Sequence, residues 1–214
     1  MFGIVLPEIL KERNDIKVLS ADMSTPAGLD KVKKEFPRNY INVGIAEQNL
    51  IGMASGLSDE GHKCICEAQA CFLSMRCFEQ VRQFCGYMGI PLILTGYGSG
   101  FSLTFMGNTH YALEDIALMR TIPEMVILSP ADSLEAAQAF ESALNLDKPV
   151  YIRMFGGTGV PSVLPEDYKF ELGKASLLRD GKDVNIVATG AMVKQALDAS
   201  RILDETSSHP TNSV

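Results

Sequence analysis

The feature that most constrains this chain is a regular alternation between short apolar runs and longer stretches of helical periodicity. Residues 16–21, 64–68, 91–95, 125–129 and 150–153 are apolar runs of strand length, each bounded by polar or turn-forming residues. Between them, residues 6–13, 44–57, 72–88, 111–120 and 133–145 place apolar side chains at helical spacing. In 44–57 that stripe is Ile45, Leu50, Ile51, Met53, Ala54 and Leu57. Asp132 followed by Glu135 has the spacing of a capping box at the start of the last of these helices, and Gly89 stops the helix that precedes residues 91–95. Strands that are apolar throughout need cover on both faces, and consecutive parallel strands need a crossover that a helix of this length supplies. The expected fold is therefore α/β, a doubly wound and mostly parallel sheet with helices on both faces.

The pattern breaks at the Gly-rich stretch beginning at Gly156, and the chain stays turn-rich to about Lys169. Three segments are expected: an α/β domain over 1–155, a linker over 156–170, and the start of a second α/β unit over 171–214. The second unit is read from strands at 177–178 and 185–189 and a helix at 192–203, too little chain for an independent domain. Residues 206–214 are polar and aperiodic and read as disorder or the edge of a cut.

Composition narrows the function classes. A net charge of -7 and a pI near 5.0, with scattered Lys and Arg, argue against a nucleic-acid surface. No run approaches the roughly 20 apolar residues of a membrane span, and Glu8 interrupts the apolar N-terminus where a signal peptide would be continuous, so a cytoplasmic protein is expected. The five cysteines (Cys64, Cys66, Cys71, Cys77, Cys85) are odd in number and sit within strand and helix patterns, which reads as reduced, buried thiols. Cys64-x-Cys66 lacks the second cluster a zinc site needs, and no metal ligands are assigned. The Gly96-x-Gly98-x-Gly100 run fails the spacing of a dinucleotide turn.

Function is carried by three blocks. The first, F-P-R-N-Y-I-N-V-G-I-A-E-Q-N-L from Phe36 to Leu50, places Glu47 in the opening turn of a helix beginning at Gly44. Alone, such a glutamate is an acid favourably placed at a helix N-terminus. The second runs from Ala68 to Phe78, with Phe72, Met75 and Phe78 three residues apart on one expected helix face. The third runs from Pro91 to His110 and ends Gly107-Asn108-Thr109-His110, followed after a helix by Ile122 to Asp132.

In this order the blocks resemble those of the transketolase family. The first is similar to its R-[YF]-[IF]-[ND]-V-G-I-A-E-Q-[NH] signature, the second to T-F-L-x-F-x-x-Y, and the third to a stretch ending G-P-T-H and continuing to I-P-N-M-x-V-x-x-P-A-D. The resemblance implies the fold of the pyrimidine-binding part of a thiamine diphosphate enzyme. It implies that Glu47 hydrogen-bonds the ring nitrogen of the cofactor's aminopyrimidine and so activates its thiazolium carbon. It assigns Phe72, Met75 and Phe78 to the pyrimidine pocket, and His110 to the substrate carbonyl and proton transfer. Arg153 falls where the family has a phosphate-binding arginine, and Ala21-Asp22 resembles its S-A-D-L segment, which makes Asp22 a further cofactor-site residue.

Departures matter as much. Gly98 and Met106 stand where the family has a phosphate-contacting histidine and a hydroxyl-reading aspartate, so a sugar-phosphate substrate is not implied. The G-D-G motif with a downstream Asn that holds magnesium and diphosphate is absent. The resemblance therefore implies the C-terminal subunit of a split enzyme, a homodimer and/or a hetero-oligomer with a diphosphate-binding N-terminal subunit that holds most of the Mg2+ contacts. The expected activity is ketol transfer from a ketose-type sugar to an aldehyde. The alternatives are acyl condensation of the deoxyxylulose-phosphate-synthase type and a non-catalytic scaffold.

Overall fold

The computed structural model of the chain describes residues 2–156 and 160–206. Six strands, β1 (Ile16–Ser20), β2 (Tyr40–Asn42), β3 (Lys63–Gln69), β4 (Ile93–Tyr97), β5 (Val126–Leu128) and β6 (Val150–Met154), form one sheet in the order β2-β1-β3-β4-β6-β5. Every neighbouring pair is parallel. All the strand C-termini therefore lie along one edge, and the order reverses between β1 and β3, where the chain leaves β1 outward to β2 and returns inward to β3. In open parallel sheets such a reversal opens a crevice at the carboxyl edge.

Helices cover both faces. Leu6 and Leu10 of α1 (Phe2–Glu12), Val32 of α2 (Asp30–Glu35) and Ala139, Phe140 and Ala143 of α6 (Ser133–Leu144) pack on one face with Ile16, Val18, Ile65 and Ile93. Leu50, Ile51 and Ala54 of α3 (Glu47–Asp59) pack on the other, with Leu73, Cys77, Val81 and Cys85, against Cys64, Cys66, Ala68 and Tyr151. Alternate residues of β3 point to opposite faces, so Cys64 and Cys66 enter one core and Ile65 the other. All five cysteines are free and buried, and burial pushes the Cys64, Cys77 and Cys85 thiols up to about 12.

Two elements, β2 and α2, are added to the sequence expectation. Residues 72–88, expected as one helix, are three pieces: a π-helical turn Phe72–Arg76, α4 (Phe78–Val81) and a second π-helical turn Arg82–Tyr87. The Ser74 hydroxyl donates to the Ala70 carbonyl at 2.7 Å and the Cys77 thiol to the Leu73 carbonyl at 3.0 Å. Such side-chain competition for helix carbonyls accompanies widened turns. The helix expected over 111–120 is shortened to α5 (Asp115–Met119), because Ala112 instead bridges Gly100 in antiparallel fashion.

Beyond β6 the expected strand at 185–189 does not form; the segment contributes one helix, α7 (Met192–Thr206). The described part of the expected linker is fastened to α6. Asp132 caps that helix by accepting the Leu134 and Glu135 N–H groups with Oδ1, and with Oδ2 it accepts those of Val163 and Leu164. Gln138 adds bonds to Tyr168 and Phe170. Burial alone would raise the Asp132 carboxyl, but these four N–H donors hold it below the usual carboxylate range. Residues 157–159 of the expected linker, and all but Thr206 of the expected polar tail, lie outside the described residues.

Another acid is buried in β3. Glu67 of β3 is fully enclosed; its Oε2 shares a short hydrogen bond with the Thr95 hydroxyl, and its Oε1 has no partner among the described residues. Burial pushes the Glu67 carboxyl well above its ordinary value, against the lowering effect of Thr95. A raised carboxyl favours the fold at pH values below the unfolded carboxylate range, and that contribution is lost as pH rises toward the folded value. Glu67→Gln is therefore expected to raise stability at pH 8 by on the order of 1 kcal/mol, with the gain shrinking toward pH 5. Denaturation midpoints at the two pH values check this; an equal change at both would refute it.

Candidate active site

Asn42 closes β2 and organises the approach to Glu47. Its Oδ1 accepts the N–H groups of Asp22 and Gly44, both at 3.0 Å, and its Nδ2 donates to Asp22 Oδ1 at 3.0 Å. Asp22 adopts a left-handed backbone, φ 59°, which Asp tolerates better than most residues. Gly44 is also left-handed, at φ 75°, and so cannot open a right-handed helix. The helix begins three residues later than expected: Glu47 is the first residue of α3, not a residue three positions inside it. The Glu47 carboxyl thus lies at the positive end of α3, only 3% exposed, at the carboxyl edge of the sheet.

Glu47 Oε2 accepts a hydrogen bond from Arg76 Nη1 at 2.8 Å. The Arg76 guanidinium also lies over the Phe72 ring, 3.9 Å from its centroid. Phe72 in turn meets the His110 imidazole edge to face, with centroids 5.2 Å apart. His110 is half-buried in a 3-10 turn, Asn108–His110, with Nδ1 2.9 Å from the Thr109 hydroxyl. The structure therefore brings Glu47, Phe72 and His110 into one chain of contacts, with Arg76 as the link that sequence reasoning missed.

The π-helical turn separates the expected face. With hydrogen bonds from i to i+5, one turn takes more than four residues, so Met75, which an α-helix would keep beside Phe72 together with Arg76, turns away while Arg76 stays. The three residues expected on one face are separated. Phe72 packs on Ala70, Cys71 and Ala112; Phe78 packs against the core cluster that contains α3; Met75 is exposed. The available signal was that Arg76 is the one charge between Glu67 and Glu79.

Arg153 is not a surface arginine. Its Nε donates to Asp115 Oδ2 at 2.8 Å and its Nη2 to the Ala112 carbonyl at 3.4 Å, and Tyr151 Oη donates to the same Asp115 oxygen at 3.0 Å. Ala112 also packs against Phe72, so Arg153 adjoins the Glu47 cluster through it. Gly98 has φ 78°, where a side chain is strained, and a Cβ there would meet the Leu103 side chain at 2.4 Å, so a histidine at this position would need Leu103 to move. Met106 is exposed in a 3-10 turn.

A buried carboxylate beside an aromatic face is the acceptor and surface an aminopyrimidine needs, so Glu47 and Phe72 fit the pyrimidine end of thiamine diphosphate. Among the described residues no group of three or more His, Cys, Asp or Glu is placed to hold a metal ion. No helix among them is long and apolar enough to cross a membrane. A separate cleft of about 500 Å3, lined by Ser129, Leu164, Tyr168, Asn185 and Val193, includes none of Glu47, His110 or Arg153.

Residues 1–155 match the model of the transketolase pyrimidine-binding domain family. The chain belongs to this family. Among curated relatives, the putative transketolase C-terminal section of Methanocaldococcus jannaschii is 36% identical over 205 residues, covering 95% of this chain and 65% of that protein. The 6-deoxy-6-sulfo-D-fructose transketolase subunit SqwH of a Clostridium species is 37% identical over 199 residues, covering 93% and 62%. The chain thus spans under two thirds of the length of these relatives. Among solved structures, a split-gene transketolase described as an inactive beta4 tetramer superposes with a TM-score of 0.87 at 36% identity, covering 99% of this chain and 69% of that one. The all-parallel six-stranded sheet of this family is the fold expected from the alternation of strands and helices.

Proposed function

We propose that this chain is the pyrimidine-binding subunit of a split transketolase, active in ketol transfer from a ketose-type sugar to an aldehyde only with a second subunit that binds diphosphate and Mg2+. The observation that carries the proposal is the buried Glu47 carboxylate, aimed at a planar donor over Phe72 and within one ring contact of His110. Members of the family are thiamine diphosphate enzymes, and that cofactor supplies the electron sink and nucleophilic carbon for moving a two-carbon unit.

Glu47 would hold the pyrimidine ring nitrogen and share its proton when the cofactor is bound, Phe72 would form the flat wall beside it, and Phe78 backs the α3 surface that carries Glu47. Asp22 keeps the Asn42 turn, and hence Glu47, in register with the crevice. His110 hydrogen-bonds the substrate carbonyl and moves its proton. Arg153, already shared with Asp115, suits orienting a polar substrate group better than carrying a full phosphate charge.

The need for a partner draws support from the inactivity of the related beta4 tetramer and from exposed apolar side chains at the same edge, Ile45, Phe101, Phe105 and Leu113. Self-association alongside the hetero-oligomer belongs to the same proposal. The test mixes this chain with the diphosphate-binding subunit from the same organism and follows thiamine diphosphate binding and ketol transfer. Activity is expected only in the mixture. Transfer by the partner alone, or by neither combination across ketose and 2-oxo acid donors, would sink the proposal.

A further inference from the structure

The Arg76 guanidinium has the shape and bonding of the ligand proposed for its position. It is a flat N–C–N group, it donates an N–H to Glu47 Oε2 at 2.8 Å, and one face lies 3.9 Å above the Phe72 ring. An aminopyrimidine bound to Glu47 presents the same set: a flat N–C–N fragment, a hydrogen bond to the carboxylate, and a face on an aromatic wall. Both groups cannot use that oxygen and that ring face together. Arg76 is also able to leave, since its side chain is 45% exposed while Glu47 is enclosed, and the cation gains hydration when it swings outward.

We propose that Arg76 is a built-in occupant of the pyrimidine subsite, which caps Glu47 until the cofactor's aminopyrimidine displaces it. This identity of the displacing ligand rests on the proposed function; the occupancy itself does not. Arg76 follows Phe72 by four residues within one π-helical turn, which brings its side chain back over the ring. Between ligands the occupant keeps the buried carboxylate paired and shields it from adventitious cations. In exchange it reduces apparent affinity by the fraction of molecules in which Arg76 is out.

The test measures binding, not turnover. Wild type, Arg76→Ala, Arg76→Lys, Glu47→Gln and the Glu47→Gln/Arg76→Ala double variant are titrated with 4-amino-2-methylpyrimidine as the full chain, and with thiamine diphosphate and Mg2+ in the mixed complex. Displacement of an ion pair whose cation is half-exposed and whose carboxylate is enclosed predicts that Arg76→Ala binds the pyrimidine roughly three- to ten-fold more tightly than wild type. Arg76→Lys, which keeps the charge but loses the flat face, falls between them. In the Glu47→Gln background the gain vanishes. Equal or weaker pyrimidine binding by Arg76→Ala, or a gain that survives Glu47→Gln, overturns the inference. A Glu47-dependent gain for the pyrimidine with no thiamine diphosphate binding by the complex would sustain the inference and sink the proposed function.

Discussion

Replacing Glu47 by glutamine is expected to reduce kcat of the assembled enzyme by roughly 100- to 10,000-fold, the range typical for loss of a positioned proton-transfer group. Glutamine keeps the length and hydrogen-bonding reach of the side chain but cannot share a proton with the ring nitrogen in the same way. The fold is expected to tolerate the change. Its partner Arg76 is 45% exposed and rehydrates when the carboxylate is lost, so the change in stability stays within about 1 kcal/mol. Steady-state rates at saturating thiamine diphosphate, taken with a denaturation midpoint for each protein, separate the two effects. Full activity in Glu47→Gln would remove the basis for the proposed mechanism.

The largest loss of stability is expected from Asp115→Ala, at roughly 3–5 kcal/mol, the cost of removing one partner of a buried ion pair. Asp115 is 0% exposed, and its Oδ2 accepts both from Arg153, itself only 20% exposed, and from the buried Tyr151 hydroxyl. Alanine leaves a cation and a phenol without their acceptor inside the fold. The contrast with Glu47 is one of environment: the same charge type, paired with an arginine in both cases, but with the arginine free to reach water in only one. Urea denaturation reads the loss directly, and Asp115→Asn, which keeps an acceptor oxygen, is expected to lose less. A change below about 1 kcal/mol for Asp115→Ala would show that the triad is not a structural anchor. Because Arg153 and Ala112 both adjoin the Phe72 wall, Asp115 also keeps the candidate site in place.

Much of the fold was legible in local patterns. The apolar runs of β1, β3, β4, β5 and β6 were long enough, and bounded sharply enough, to be found from periodicity alone. β2 and α2 were not, because three residues of strand and a helix of composition Asp-Lys-Val-Lys-Lys-Glu bury a single side chain, Val32, on α2. Their existence depends on β1 offering an edge to pair with. The expected strand at 185–189 fails for the converse reason. A strand needs a run of partners, and of 185–189 only Asn185 makes a β-bridge, so the segment does not join the six-stranded sheet.

Within the site, the order and identity of the blocks around Glu47, Phe72 and His110 were enough to name the family and to bring these three together. Their contacts were a different matter. Whether residue 75 stays beside Phe72 together with residue 76 turns on one widened turn, accompanied by two side chains that compete for backbone carbonyls. Where α3 begins turns on the left-handed Gly44 held by Asn42, and Asp22 enters the site through that same side chain. The state of Arg153 turns on Asp115, 38 residues away in sequence. The sequence by itself determined the sheet, its two covered faces and the family, because burial along a strand or helix follows from nearest-neighbour periodicity. Only the tertiary structure decided which arginine meets which carboxylate, because such pairing depends on long-range approach and on a single turn's width, and neither leaves a periodic trace.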